Sequence, residues 1–246
     1  MKKLIIFCII STISCASVFG QGFVFFNPDG ALTETYLKNH KEGVNSVIET
    51  IVSDKTDITN LSVKYKLLSN CSFSAETPLK NDFSTVNYVT IDKKGEDSKN
   101  WTLIVHQLKP APLPLNLSFS KSNPCDLSFE NPKPWAGYGI DYTKPTVVRF
   151  GNAGAGFFVA FEGEAKEISF ELNCVGKDNP EFNGEMDVEY SQDGLKWKTL
   201  ITYTPLKPFK NGEKNVLPLP ANARYVRWVY AVREKINVNL NNISIY

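Results

Sequence analysis

The stretch Met186-Asp187-Val188-Glu189-Tyr190-Ser191-Gln192-Asp193-Gly194-Leu195-Lys196-Trp197 decides the fold class. Met186, Val188 and Tyr190 alternate with Asp187, Glu189 and Ser191. A period of two sends one set inward and the other to water, as on a half-buried strand. Asp193-Gly194 follows, a pair that tolerates positive φ and is the strongest short hairpin signal. Trp197, Thr199, Ile201 and Tyr203 continue the alternation, which predicts a return strand with Trp197 on the core side. Further on, Val226, Trp228 and Tyr230 share one strand face. In the closing segment Ile236, Val238 and Leu240 share a face, while Ile243 and Ile245 fall in the other phase. One extra residue near Asn241-Asn242 restores the phase, so a β-bulge is predicted there. Residues 184–246 therefore read as one half of a β-sandwich, and the chain as all-β.

Three pieces of this text carry a resemblance: the S-x-D-G-x-x-W turn of Ser191–Trp197, the R-Y-V-R-W-V-Y strand of Arg224–Tyr230 and the N-V-N-L-N-N-I strand of Asn237–Ile243. Together they resemble the galactose-binding-like (discoidin-type) β-sandwich, and more narrowly the C-terminal domains of Bacteroidetes surface proteins. The resemblance covers roughly residues 115–246. It implies a jelly-roll sandwich of a kind that often binds glycans through loops at one end. Its matching residues are mostly core and turn, and fold alone does not establish function.

At 246 residues the chain has room for one large or two ordinary domains, and 42% hydrophobic with 22% charged residues is a globular composition. Met1-Lys2-Lys3 followed by the apolar run Leu4–Ile13 reads as a secretory signal peptide over residues 1–20, with Val18-Phe19-Gly20 before a mature start at Gln21. A lipoprotein site at Cys15 is the alternative, but the usual Leu three positions before the Cys is absent. The apolar run is too short to span a bilayer. Export to the periplasm, the outer-membrane surface or the medium is expected. Cleavage takes away Lys2 and Lys3 and no acid, so the formal charge falls from +1 to −1, without the basic footprint that nucleic acid requires. Cys71, Cys125 and Cys174 remain. Cys125 and Cys174 fall in the same expected domain and are the expected disulfide pair; three free thiols packed as small apolar groups are the open alternative.

Residues 21–108 read as a first β-domain. Phe23–Phe26 is a short strand ended by the turn Asn27-Pro28-Asp29-Gly30. Val44 to Val52 fits a helix face and a β-branched strand equally; its neighbours are strands, which favours strand. Leu61 to Leu67, Val86 to Ile91 and Trp101 to Val105 follow as strands. This part resembles the small Ig-like domains that precede surface-binding modules, through Val52–Leu61, Cys71–Ser74, Asp82–Ser84 and Trp101–Val105. Ser53-Asp54-Lys55 stands where that family has a Pro-containing turn. The resemblance implies a spacer without catalytic residues.

Lys109-Pro110-Ala111-Pro112-Leu113-Pro114 is a Pro-rich linker, expected to form a stiff extended rod that holds the domains apart. The second domain, residues 115–246, has a long segment from Pro124 to Tyr142 that reads as irregular, then strands at Val147–Phe150 and Phe157–Phe161. Between those strands, Gly151-Asn152-Ala153-Gly154-Ala155-Gly156 lacks the Lys-Ser or Lys-Thr and the following helix of a phosphate loop, and reads as a hairpin turn.

No catalytic signature appears. His40 and His106 have no acid or Cys at motif spacing and read as surface histidines, and no G-x-S-x-G, H-E-x-x-H or C-x-x-C occurs. Asp178, Asn179 and Asn183 match no defined calcium loop; no cofactor or metal is expected. Trp101, Trp197 and Trp228 read as core. Trp135, Tyr138 and Tyr142 fall outside any clear strand phase, with Arg233 and Lys235 as polar partners on a separate connection. These five are the expected ligand-binding residues, since sugars stack C–H faces on aromatic rings and need donors nearby. Burial of Trp135 and Tyr138 at the sandwich bottom is the alternative. The expected function is a non-catalytic exported binding protein for a glycan or polysaccharide at the cell envelope. An adhesive module for a surface protein partner is the rival, and a glycoside hydrolase accessory or enzyme stands third.

Overall fold

The computed structural model describes residues 22–38, 44–125, 132–177 and 180–246. The signal-peptide reading, with Cys15 and Gln21, lies outside these residues, as do His40, Asp178 and Asn179. The described chain is all-β. Its one helical turn is a 3-10 turn at Ile58–Asn60.

The N-terminal half carries β1 (Phe23–Pro28), β2 (Tyr36–Lys38), β3 (Ser46–Ser53), β4 (Val63–Leu67), β5 (Cys71–Phe73), β6 (Asn87–Lys93) and β7 (Glu96–Leu108). β1 and β4 pair with each other, and the remaining strands form a sheet in the order β2-β3-β7-β6-β5. The two sheets face each other across Phe26, Ile48, Phe83, Val89, Trp101 and Leu103. β3 runs parallel to β7, from Ser46 opposite Trp101 to Ser53 opposite Leu108. The ambiguous stretch is thus a strand. Only Val47 and Ser53 escape full burial, because Ile48 and Val52 face the N-terminal core while Ile51 faces away from it into another cluster.

The C-terminal half carries β8 (Ala111–Pro112), β9 (Leu115–Leu117), β10 (Trp135–Tyr138), β11 (Val148–Phe150), β12 (Ala155–Glu162), β13 (Glu167–Val175), β14 (Glu185–Ser191), β15 (Trp197–Tyr203), β16 (Lys214–Pro218), β17 (Tyr225–Val232) and β18 (Asn237–Ile245). One sheet has the order β10-β12-β17-β14-β15, with β8 alongside β12; the other has β11-β18-β13-β16, with β9 on β18. Phe157, Phe170, Trp228 and Tyr230 are fully buried between them. Trp228 lies against Phe170 at 5.3 Å between ring centroids, as core.

The β14–β15 hairpin turns where Asp193-Gly194 places it. Gly194 takes φ +75, and the Asp193 carboxylate accepts the backbone N–H groups of Leu195 and Lys196 at 2.8 Å each. The bulge near the C-terminus is present too. Ser169 pairs with Ser244 but Glu171 pairs with Asn241, so β18 spends one more residue than β13 over this span. Asn242 absorbs the excess in the left-handed region at φ 49, and Ile243 and Ile245 turn back to the core with Val238 and Leu240.

Several expectations are corrected. The segment before Tyr142 is not irregular throughout, since residues 135–138 form β10 on the edge of the sheet, paired with β12. The Gly-rich turn is not a hairpin: β11 belongs to one sheet and β12 to the other, so residues 151–154 cross between layers. Nor does the Pro-rich stretch hold two bodies apart. Ala111 and Pro112 pair in parallel with Phe161 and Glu162, and the Lys109 N–H donates to the Lys133 carbonyl at 2.7 Å. An extended proline segment keeps its carbonyl acceptors and can lie along a sheet edge. Leu32, Ile51 and Leu108 from the N-terminal half then pack with Ala136, Tyr138, Phe158 and Ala160 from the C-terminal half in a third apolar cluster.

Candidate ligand-binding clefts at the junction

The junction between the two sandwiches is built from polar fastenings around that third cluster. The Tyr36 and Tyr138 rings stack at 5.6 Å, with planes 20° apart. Glu49, only 4% exposed, accepts the backbone N–H of Gly139 at 2.6 Å. Asn152 Nδ2 donates to the Gly139 carbonyl at 2.9 Å, and Lys38 Nζ donates to Asn152 Oδ1 at 2.6 Å. Gly139 must be glycine here: φ is +65, and a Cβ would stand 2.8 Å from the Tyr36 ring. Burial, reinforced by the Glu49 carboxylate, pushes the Tyr36 phenol up to about 12; burial does the same to Tyr138. Both therefore stay neutral donors at ordinary pH.

The five expected ligand residues divide between roles. Trp135 is packed by Phe157 stacked at 5.7 Å and by the edge of Phe119 at 5.3 Å, with Lys133 Nζ 4.9 Å from its ring centre. Tyr138 is 8% exposed and held between Tyr36 and Phe158. Both rings are engaged by other rings; Trp135 lines neither of the two clefts at this junction, whereas Tyr138 lines the larger. Tyr142 and Arg233, from separate connections, line one cleft of about 620 Å³ together with Lys38, Asp141, Asn152 and Asn237. Lys235 is exposed and does not line it.

A second cleft, of about 730 Å³, opens on the outer face of the sheet that carries β15 and β17. Trp197 and Arg227 form its C-terminal wall, and Leu32, Thr33, Glu34 and Thr35 its N-terminal wall. The Arg227 guanidinium lies over the Trp197 ring at 4.2 Å, and its Nε donates to Glu189 Oε2 at 2.6 Å. Sequence phase placed Trp197 in the core; the structure places it half-buried on the opposite face. The cause is a register shift: Val188 pairs with Ile201 but Glu189 with Thr199, so Leu200 is an extra residue. One extra residue reverses the face of all that precede it in the strand. Arg227 did carry a signal, since it occupies the outward phase between buried Val226 and Trp228, and register sets it beside Glu189.

Other expected groups lie elsewhere. Cys125 and Cys174 are both buried and are not joined to each other, so the expected disulfide is absent. Each is fixed by its own backbone, Cys125 N–H to the Pro145 carbonyl at 2.6 Å and Cys174 N–H to Asn211 Oδ1 at 2.8 Å. Burial pushes the Cys174 thiol up to about 11, far from the thiolate that oxidation requires. His106 is not a surface residue. It sits beside Glu49, Nε2 to Oε1 3.8 Å, and Nε2 is buried. Asn183 Oδ1 is buried inside the C-terminal sandwich's loop region. Among the described residues no group of three His, Cys, Asp or Glu side chains is placed to hold a metal ion, and no helix is long and apolar enough to cross a membrane.

No family model matches the chain, and no curated protein sequence does. Among solved structures, it is similar to a protein of Bacteroides thetaiotaomicron provisionally assigned as a glycoside hydrolase. The identity is 10% over 92% of this chain and 96% of the other, with a TM-score of 0.47. The K2 cleaved adhesin domain of Lys-gingipain, from Porphyromonas gingivalis, shares 12% identity over 55% of this chain and 98% of its own, with a TM-score of 0.40. A family 29 carbohydrate-binding module shares 9% over 54% and 91%, with a TM-score of 0.37. Likenesses this distant say nothing about what the chain does.

Proposed function

We propose that the protein is a non-catalytic, exported glycan-binding protein of the cell envelope, in which an Ig-like sandwich supports a galactose-binding-like one. The observation that carries this reading is Trp197. A half-buried indole on the outer face of a sheet, rather than in the core, lines an open cleft of about 730 Å³. That volume lies within the range of roughly 300–1,000 Å³ typical of ligand clefts. The same cleft is lined by Thr33, Glu34, Thr35 and Arg227, with the Thr33 and Thr35 hydroxyls donating to the Glu34 and Phe26 carbonyls and keeping their acceptor lone pairs. A saccharide needs this combination: an apolar surface for its C–H face and mixed donors and acceptors for its hydroxyls. The non-catalytic part of the reading is supported by the sequence, where no nucleophile or metal signature occurs, and by Glu189, whose carboxylate is engaged by Arg227.

The test is retention of the mature chain on a panel of neutral and acidic polysaccharides in affinity electrophoresis. Trp197→Ala is expected to weaken retention at least tenfold, with a modest fall in melting temperature because the ring is only half-buried. Retention unchanged in this variant overturns the site. Binding to no glycan, together with saturable binding to an envelope protein, overturns the function in favour of an adhesive role. Release of reducing sugar overturns the non-catalytic reading.

A further inference from the structure

We propose that the cleft of about 620 Å³ between Lys38, Tyr142, Asn152 and Arg233 receives an anionic group, a carboxylate or a sulfate, on an acidic saccharide. The proposal rests on the glycan-binding reading and names the ligand class that reading leaves open.

Two cations from different halves of the chain meet at this cleft, Lys38 at the end of β2 and Arg233 just after β17. Each is oriented by an amide oxygen: Lys38 Nζ donates to Asn152 Oδ1 at 2.6 Å, and Arg233 Nε to Asn237 Oδ1 at 3.1 Å. A neutral amide fixes the direction of a cation without cancelling its charge. Among the described residues neither Lys38 nor Arg233 has a carboxylate within ion-pair distance. Arg227 in the other cleft contrasts with them, because Glu189 neutralises it at 2.6 Å.

Among the described residues, the one carboxylate lining the cleft is Asp141, whose Oδ1 accepts from the Thr143 N–H at 3.1 Å and the Thr143 hydroxyl at 2.6 Å. Among the described residues that line the cleft, two positive charges stand against one negative. An ammonium has three donors and a guanidinium five. Lys38 spends one on Asn152; Arg233 spends one on Asn237 and turns a second toward the Lys235 carbonyl at 3.5 Å. The remaining donors suit the oxygens of an anion, and Arg in particular matches a carboxylate or sulfate edge in a fork. Both side chains are half-buried, which weakens solvent screening of that charge.

Asn152 cannot turn away, because its Nδ2 is held by the Gly139 carbonyl at 2.9 Å. Tyr142 is likewise fixed, its hydroxyl donating to the Gly137 carbonyl at 3.0 Å, and it presents an aromatic wall to the sugar that carries the anion. The cleft exists only where the two halves meet, since Lys38 comes from one and every other named residue from the other.

The experiment uses the mature chain with Lys38→Met and Arg233→Met, which remove the charge and keep an unbranched apolar stem. Affinity is measured by calorimetry for polygalacturonate oligomers, for a sulfated galactan and for a neutral galactan of matched length. In parallel, the Arg233 Nε–H and the Asn152 side-chain amide are followed by 15N NMR during titration with free galacturonate, inorganic sulfate and galactose. The expected result is an acidic-over-neutral preference of at least tenfold that falls with added salt and is lost in either variant. Free galacturonate or sulfate should move both resonances and galactose should move neither. Whichever of the two anions gives the larger shift identifies the source. Equal binding of acidic and neutral polymers, or a preference that survives both substitutions, overturns the proposal. If neutral glycans still bind through Trp197 in that case, the glycan-binding reading stands without it. If the free anions move the two resonances and no polymer binds, the anion site stands and the glycan-binding reading fails.

Discussion

Trp197 and Trp228 belong to the same sheet and meet opposite fates. Trp228 is fully buried between Phe157 and Phe170, whereas Trp197 lies across the sheet under Arg227. Trp228→Ala therefore removes a whole indole from a packed interior. It should destabilise the protein by about 3–5 kcal/mol, read from the urea midpoint at constant slope. A loss below about 1 kcal/mol, the range of surface sites, would contradict the burial. Tyr138 stands between the two cases: it is stacked by Tyr36 and packed at a tilt by Phe158, yet it lines the same cleft as Trp197.

At the scale of elements, β18 shows how a single residue sets which side chains are inside. Asn242 sits at φ 49, where Asn is tolerated and β-branched residues are strained. Asn242→Gly should change stability by less than about 0.5 kcal/mol, while Asn242→Val should cost about 1–2 kcal/mol. Deleting Asn242 is more severe. A one-residue slip sends Ile243 and Ile245, both now buried, to the outer face, and no cooperative transition should remain in a denaturant titration. A deletion variant that melts like the parent would mean the register does not depend on the bulge. The Leu200 bulge in β15 acts by the same rule in the opposite sense, since it carries Trp197 out of the core.

At the scale of the whole molecule, the two halves have separate cores joined by a third cluster and by the Glu49–Gly139 hydrogen bond. A fragment of residues 115–246 keeps the core around Phe157, Phe170 and Trp228. It loses the β8 pairing and uncovers Tyr138, Phe158 and Ala160. We expect it to fold cooperatively, to melt below the full chain and to bind a hydrophobic dye. In the full chain, Glu49→Ala leaves the buried Gly139 N–H without its acceptor and should cost about 1–3 kcal/mol. A fragment as stable as the parent would show that the junction contributes nothing; a fragment without a cooperative transition would show that the halves share one core.

The sequence by itself determined what depends on neighbours along the chain. Strand alternation, the Asp193-Gly194 turn, the burial of Trp228 and the phase break at Asn241-Asn242 are local features whose consequences follow from backbone geometry. It also held an unread sign of the junction: Ala155–Phe161 is a run without a polar side chain rather than an alternation, the mark of a strand covered on both faces, and the structure buries all of it. Tertiary structure decided the rest. Trp197 faces the cleft because a bulge visible only in the pairing of β14 with β15 reverses its phase. Whether Cys125 and Cys174 join was equally a matter of tertiary placement, and they do not. Tyr142 and Arg233, about ninety positions apart along the chain, meet each other and Lys38 because packing between sheets, not spacing along the chain, sets which loops share an end.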